Sequence, residues 1–153
     1  MKKAYLLLLL VLGICFQTSA QTNNWFGSKK QWILIDNKIE KDTIQFTPFD
    51  TAKVLLNTMV IKFMPKGKIM YDYQSDENID ACLGVDFLDI DTDASSWFYN
   101  PQTKQAILQI KGGYASIDDF KFKRIYKVEL LEGNLFFYKT KEIYFKDLTL
   151  NQK

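Results

Sequence analysis

Polar and apolar positions alternate with a period of two through most of the chain between Lys30 and Asp147, and sustained helical spacing is hard to find. Side chains on a strand point alternately to opposite faces, so the alternation predicts half-buried strands. The predicted strands are Gln31–Asp36, Asn57–Met64, Ile69–Tyr73, Ser95–Tyr99, Gln105–Lys111, Phe122–Leu131, Leu135–Lys139 and Glu142–Leu148. Phe122, Arg124, Tyr126, Val128 and Leu130 share one side of the longest. Pro65-Lys66-Gly67 and Asn100-Pro101-Gln102 carry turn chemistry, and Gly133-Asn134 suits a two-residue type II′ turn. One segment breaks the pattern. Thr47 suits a cap and Pro48 a first helical position, which predicts a short helix near residues 48–56. Seven or eight strands joined by hairpin-length turns predict a single mainly β domain, an antiparallel barrel or sandwich.

Residues 1–20 have a different character. Met1-Lys2-Lys3 precedes a Leu/Val run from Leu6 to Leu12, and Thr18-Ser19-Ala20 places small residues at a cleavage position. That order is the pattern of a secretory signal, so cleavage after Ala20 and export to the periplasm or the medium are expected. Cys15 near the end of the run leaves lipid attachment as a second reading, although Ile14 stands where a small residue belongs. The run is too short to span a bilayer, and no second candidate follows, so stable membrane insertion is not expected. Loss of Lys2 and Lys3 takes the formal charge of +2 to zero, which removes the electrostatic case for a polyanionic partner. Cys15 would leave too, making Cys82 the sole thiol, a small hydrophobe rather than half of a disulfide.

Four stretches together resemble the small lipocalin-like domains of exported bacterial proteins. They are Gln31-Trp32-Ile33-Leu34-Ile35 after a short lead-in, the Phe63…Gly67…Tyr71 hairpin, Trp97…Asn100-Pro101…Leu108-Gln109-Ile110, and Tyr126-Lys127-Val128…Gly133-Asn134-Leu135. Gly27 lies five residues before Trp32, a loosened form of the family's Gly-x-Trp. The resemblance implies an up-and-down barrel, usually of eight strands, with an internal cavity for a small apolar molecule. A barrel of that size either fills with side chains or holds one small ligand. Trp32, Tyr71, Tyr73, Trp97, Tyr126 and Phe137 are the aromatic candidates for a pocket lining, and Arg124 is a charged group on an otherwise apolar face. The alternative is that these rings form a solid core with Arg124 at the rim.

His is absent, which excludes His-based triads, Cys-His pairs, His-ligated zinc and a His axial ligand to haem. No Gly-rich phosphate loop or cofactor motif is present. No Lys or Arg occurs from Ile69 to Thr103, where Asp72, Asp76, Glu77, Asp80, Asp86, Asp89, Asp91 and Asp93 fall. Asp89-Ile90-Asp91-Thr92-Asp93 resembles the start of an EF-hand loop, but Ala94 replaces its Gly and Asn100 its bidentate Glu. A looser calcium site stays open as an alternative, since crowded carboxylates repel unless bridged. Nothing in the sequence sets a carboxylate pair at glycosidase distance. Lys121, Lys123, Arg124 and Lys127 interleave with Phe122 and Tyr126, yet alternation puts the lysines on an outer face, an ordinary arrangement. A nucleic-acid partner is not expected. The leading expectation is a non-enzymatic exported barrel binding a small apolar or amphipathic ligand inside. The second is a filled barrel whose acidic region, residues 72–93, meets a protein, a glycan or a divalent cation.

Overall fold

The computed structural model describes residues 25–28, 30–54, 58–74, 88–114 and 118–148. The first twenty residues and Cys82, with Asp76, Glu77, Asp80 and Asp86, lie outside them. The described chain is mainly β and antiparallel, as the alternation predicts. Its strands are β1 (Gln31–Leu34), β2 (Thr43–Pro48), β3 (Thr58–Phe63), β4 (Ile69–Gln74), β5 (Leu88–Ile90), β6 (Ser96–Asn100), β7 (Gln105–Tyr114), β8 (Asp118–Leu131) and β9 (Asn134–Asp147). They pair in the order β4-β3-β1-β2-β9-β8-β7-β5, and β6 pairs with the same edge of β7 that β5 uses farther along. β5 and β6 therefore act as one interrupted strand, and the sheet has eight staves.

A barrel needs its two edges brought together, and here side chains do most of that. One backbone bridge, Lys68↔Ser96, joins the β4 side to β6. The Trp97 indole N–H donates to the carbonyls of Met64 (2.9 Å) and Lys68 (2.8 Å), and the Tyr71 hydroxyl donates to Asp89 across the same seam. Gly67 permits the approach: a Cβ there would lie 2.7 Å from the Trp97 carbonyl oxygen, and its φ is +75°. The sheet is nearly closed.

From β3 to β9 the strands follow one another around the barrel. β1 departs from that order, lying between β2 and β3. The chain from β2 to β3 therefore has to pass β1, and Val54 on it is buried along with Ile33 and Val60, outside the main core cluster. Burial on both faces explains why β3 carries three apolar residues in succession, Met59-Val60-Ile61, within the alternation of Met59, Ile61 and Phe63. On the inner face Trp32, Phe46, Phe63, Phe122, Tyr126 and Phe137 are all fully buried.

Three details differ from the sequence reading. The short helix expected near 48–56 is absent from the described residues: β2 runs through Pro48, and the Asp50 carboxylate caps a single 3-10 turn, Thr51–Lys53. Ile44 and Phe46 carry the alternation of β2, and the Thr-Pro pair ends a strand instead of opening a helix. The last turn is Glu132-Gly133, both at positive φ (51° and 83°), which is the type I′ form, and Asn134 already pairs with Leu131. The two predicted strands after it are one, β9, interrupted by register shifts that leave Thr140 and Ile143 without opposite numbers on β8.

The seam yields a prediction. Trp97→Phe keeps an aromatic ring but removes the indole N–H together with part of the ring's volume, so urea unfolding should show a loss of at least roughly 1–3 kcal/mol. A variant as stable as the parent would mean that the two indole hydrogen bonds do not hold the edges together.

Candidate functional site

The two ends of the barrel interior are chemically unlike. At the end formed by the start of β1 and the close of β3, the lead-in segment 25–28 folds back over the rings. The Gly27 amide donates to the Phe63 carbonyl (2.8 Å), and Phe26 lies 4.5 Å from Tyr99, 4.9 Å from both Phe63 and Trp97, and 5.8 Å from Phe137, centroid to centroid. Phe63 continues the cluster to Phe46 (5.7 Å) and Phe137 (5.9 Å). Such ring pairs add stabilisation beyond the apolar area they bury. This end is packed.

The other end holds a buried charge. Arg124 on β8 is only 6% exposed, and a guanidinium with no partner there would be strongly destabilising. Three acceptor contacts meet it. Its Nε and Nη2 both reach Glu142 Oε2, at 2.7 and 2.6 Å, and Nη1 donates to the Glu40 backbone carbonyl. The Phe122 and Phe145 rings lie 4.7 and 5.4 Å from the guanidinium carbon, within cation–π range. The Glu40 carboxylate accepts in turn from the Tyr114 hydroxyl (2.7 Å), so one residue ties the segment before β2 to both β7 and β8. Lys139 and Asp42 form a neighbouring ion pair. Solvent approaches through Glu142, whose side chain is 38% exposed.

The bulges in β9 make this possible. Leu135, Phe137 and Lys139 are opposite inward residues of β8; the extra Thr140 then shifts parity so that Glu142 is opposite Arg124, and the extra Ile143 shifts it back, so that Phe145 is opposite Phe122. Without them an even-numbered residue would point outward. The Thr140 hydroxyl donates to the Ile125 carbonyl (3.0 Å), which fixes the first bulge.

Two residues deeper along β8 is Tyr126, fully buried; its hydroxyl oxygen faces the Arg124 guanidinium, and its proton has no acceptor among the described residues. Burial pushes its pKa up to about 12, with the nearby Arg124 charge acting the other way. For Arg124 burial opposes the charge, and the contacts to Glu142 and Tyr126 more than offset it, raising its pKa.

The seven candidates thus fall into groups. Trp32 and Phe137 belong to the packed core. Trp97 has its N–H committed to the seam, and Tyr71 its hydroxyl to Asp89. Tyr73 stands opposite Met59, and its side chain lies outside the described residues. Arg124 and Tyr126 come together, joined by Glu142, Glu40, Tyr114, Phe122 and Phe145, which the pattern along single strands did not single out. The acidic stretch is partly engaged. Asp91 Oδ1 accepts from the amides of Asp93 and Ala94 while its other oxygen pairs with Lys111 (2.9 Å), and these contacts, Lys111 first, hold its carboxyl below the usual range. Among the described residues no group of three or more His, Cys, Asp or Glu is placed to hold a metal ion, and no helix is long and apolar enough to cross a membrane. Compared with protein-family models, curated proteins and solved structures, the chain has no match in any of the three.

The Tyr126 environment fixes a pH dependence. Its folded pKa is raised above the ordinary 10, so its contribution to stability is complete below pH 10 and is lost as pH rises toward about 12. Tyr126→Phe should flatten that alkaline loss in urea unfolding measured on both sides of pH 10, and an unchanged profile would place the hydroxyl in water.

Proposed function

We propose that the protein is a non-enzymatic barrel that binds a small amphipathic molecule at the Arg124 end, with the apolar body against Phe122, Phe145 and Tyr114 and a hydrogen-bond-accepting head directed toward Tyr126 and the guanidinium. The observation that carries this is the buried Tyr126 hydroxyl, whose proton has no acceptor among the described residues, set beside a guanidinium inside an aromatic wall. Buried polar groups in proteins are nearly always satisfied, and an orphan asks for an acceptor that the folded chain does not itself supply. A few polar groups among aromatic rings is also the composition of small-molecule sites generally. The packing of Phe26, Phe63 and Phe137 at the opposite end argues for a site confined to one end of the barrel rather than a cavity running its length. For the acidic reading, Asp89 and Asp91 already have partners within the chain, which leaves that alternative the weaker one.

Anilinonaphthalene sulfonate, a naphthalene body with an anionic head, is a direct probe. Its fluorescence should report saturable binding to the folded protein. Tyr126→Phe, which deletes one hydrogen bond, should weaken binding roughly tenfold. Phe145→Ser, at a half-exposed position, should weaken it by a similar factor with the fold intact. Weak, unsaturable fluorescence, or equal affinity in both variants, would overturn the proposal.

A further inference from the structure

The outer wall of β7, β8 and β9 is rich in lysine. Strands paired in register set their outward residues in rows across the sheet. Lys111, Lys121 and Lys146 stand opposite one another in one row. The next holds Gln109, Lys123 and Tyr144, the third Ile107, Ile125 and Lys141, and the fourth Gln105, Lys127 and Tyr138. On β6, Phe98 extends the third row and is 59% exposed. The carboxylates that reach this wall are few. Glu129 pairs with Lys127 (2.7 Å), Asp91 pairs with Lys111 from the wall's edge (2.9 Å), and Asp119 stands opposite Gly113 beyond the row of three lysines. Lys121, Lys123, Lys141 and Lys146 make no ion pair among the described residues.

Like charges directly opposite on a sheet repel, so a row of three lysines gives nothing to the fold itself. Between the lysine rows runs the apolar row Phe98-Ile107-Ile125. The combination separates the anionic partners. A single-stranded nucleic acid gains affinity by stacking bases on exposed rings; Tyr138 and Tyr144 on this wall are only half-exposed, Tyr138 already stacks on Phe136, and two of the three residues of the apolar row are aliphatic. A sulfated glycan has no apolar interior for Phe98 to enter. A bilayer with anionic headgroups offers both, since lysines favour the charged surface and an exposed Phe gains by leaving water at the headgroup boundary. We propose that this wall docks the protein peripherally on an anionic lipid surface, with Phe98 entering the interfacial layer and the lysines of β7–β9 on the headgroups. The proposal is independent of the ligand site, which faces the interior.

Vesicle flotation tests it. The protein should float with vesicles of phosphatidylcholine mixed with phosphatidylglycerol, not with phosphatidylcholine alone, and salt should release it. The double variant Lys121→Glu/Lys146→Glu should lower partitioning roughly tenfold or more, and Lys141→Glu alone roughly fivefold. Phe98→Ser should weaken binding while leaving its salt dependence unchanged, and Lys53→Glu, away from the wall, should bind as the parent does. Thermal melting confirms the fold of each variant. Equal flotation with both vesicle types, or undiminished binding by folded Lys121→Glu/Lys146→Glu and Lys141→Glu, overturns the proposal. So does binding to a single-stranded oligonucleotide or heparin without flotation, which would assign the wall to another polyanion.

Discussion

A guanidinium buried in the wall of an aromatic barrel must be met by acceptors, and much of the local geometry of this protein follows from that demand. Arg124 sits where the alternation of β8 requires an inward residue, between Phe122 and Tyr126. To bring Glu142 opposite it, β9 takes an extra residue on each side, at Thr140 and Ile143. To supply a second acceptor, the segment before β2 lays the Glu40 carbonyl on the same group while Ile39, 1% exposed, anchors that segment in the core. Breaking such a pair by removing one partner leaves an uncompensated charge, which is far more destabilising than never having had the pair. The arrangement is one in which bulges, loop and strand register have to agree.

The rest of the interior divides around this group. Away from it the rings close on one another, and Phe26 completes the packing from outside the sheet. Toward it the wall stays aromatic but encloses charge and hydroxyl groups, and Glu142 connects it to solvent. Closure of the barrel rests on a narrower basis than its core does. Among the described residues, one backbone bridge and the side chains of Trp97 and Tyr71 are what join the two edges, so the seam is the place where the described barrel has least to hold it.

Much of this was legible in the sequence. Alternation located the inward face of β8 correctly, with Phe122, Arg124, Tyr126 and Val128 all buried, because that strand has one buried face and a period of two is then forced. The fold class followed from turn spacing. β2 was hidden by Thr47-Pro48, which has the chemistry of a helix start and the location of a strand end, and only the pairing of Pro48 with Trp32 decides between them. Glu142 was hidden for a different reason. Two bulges within four residues reverse the parity and restore it, so no periodic reading of Lys139 to Phe145 reveals which residue meets Arg124. Arg124 was singled out as a lone charge on an apolar face, yet its partners come from segments distant in sequence, Glu40 and Glu142. The lysines of the outer wall were visible as a cluster within β8. Their alignment with Lys111, Lys141 and Lys146 depends on register between strands, which composition does not carry.

The Arg124 end is an ordered, buried charge site, proposed above to receive a ligand. Arg124 is the only arginine in the chain, so its Nε–H gives an NMR signal that needs no assignment. The account predicts a single sharp resonance that exchanges slowly with water, because the proton is held by Glu142 Oε2, and that shifts saturably as anilinonaphthalene sulfonate is titrated in. A resonance with the rapid water exchange of a free side chain, or one that stays fixed while the probe saturates the protein, would contradict it.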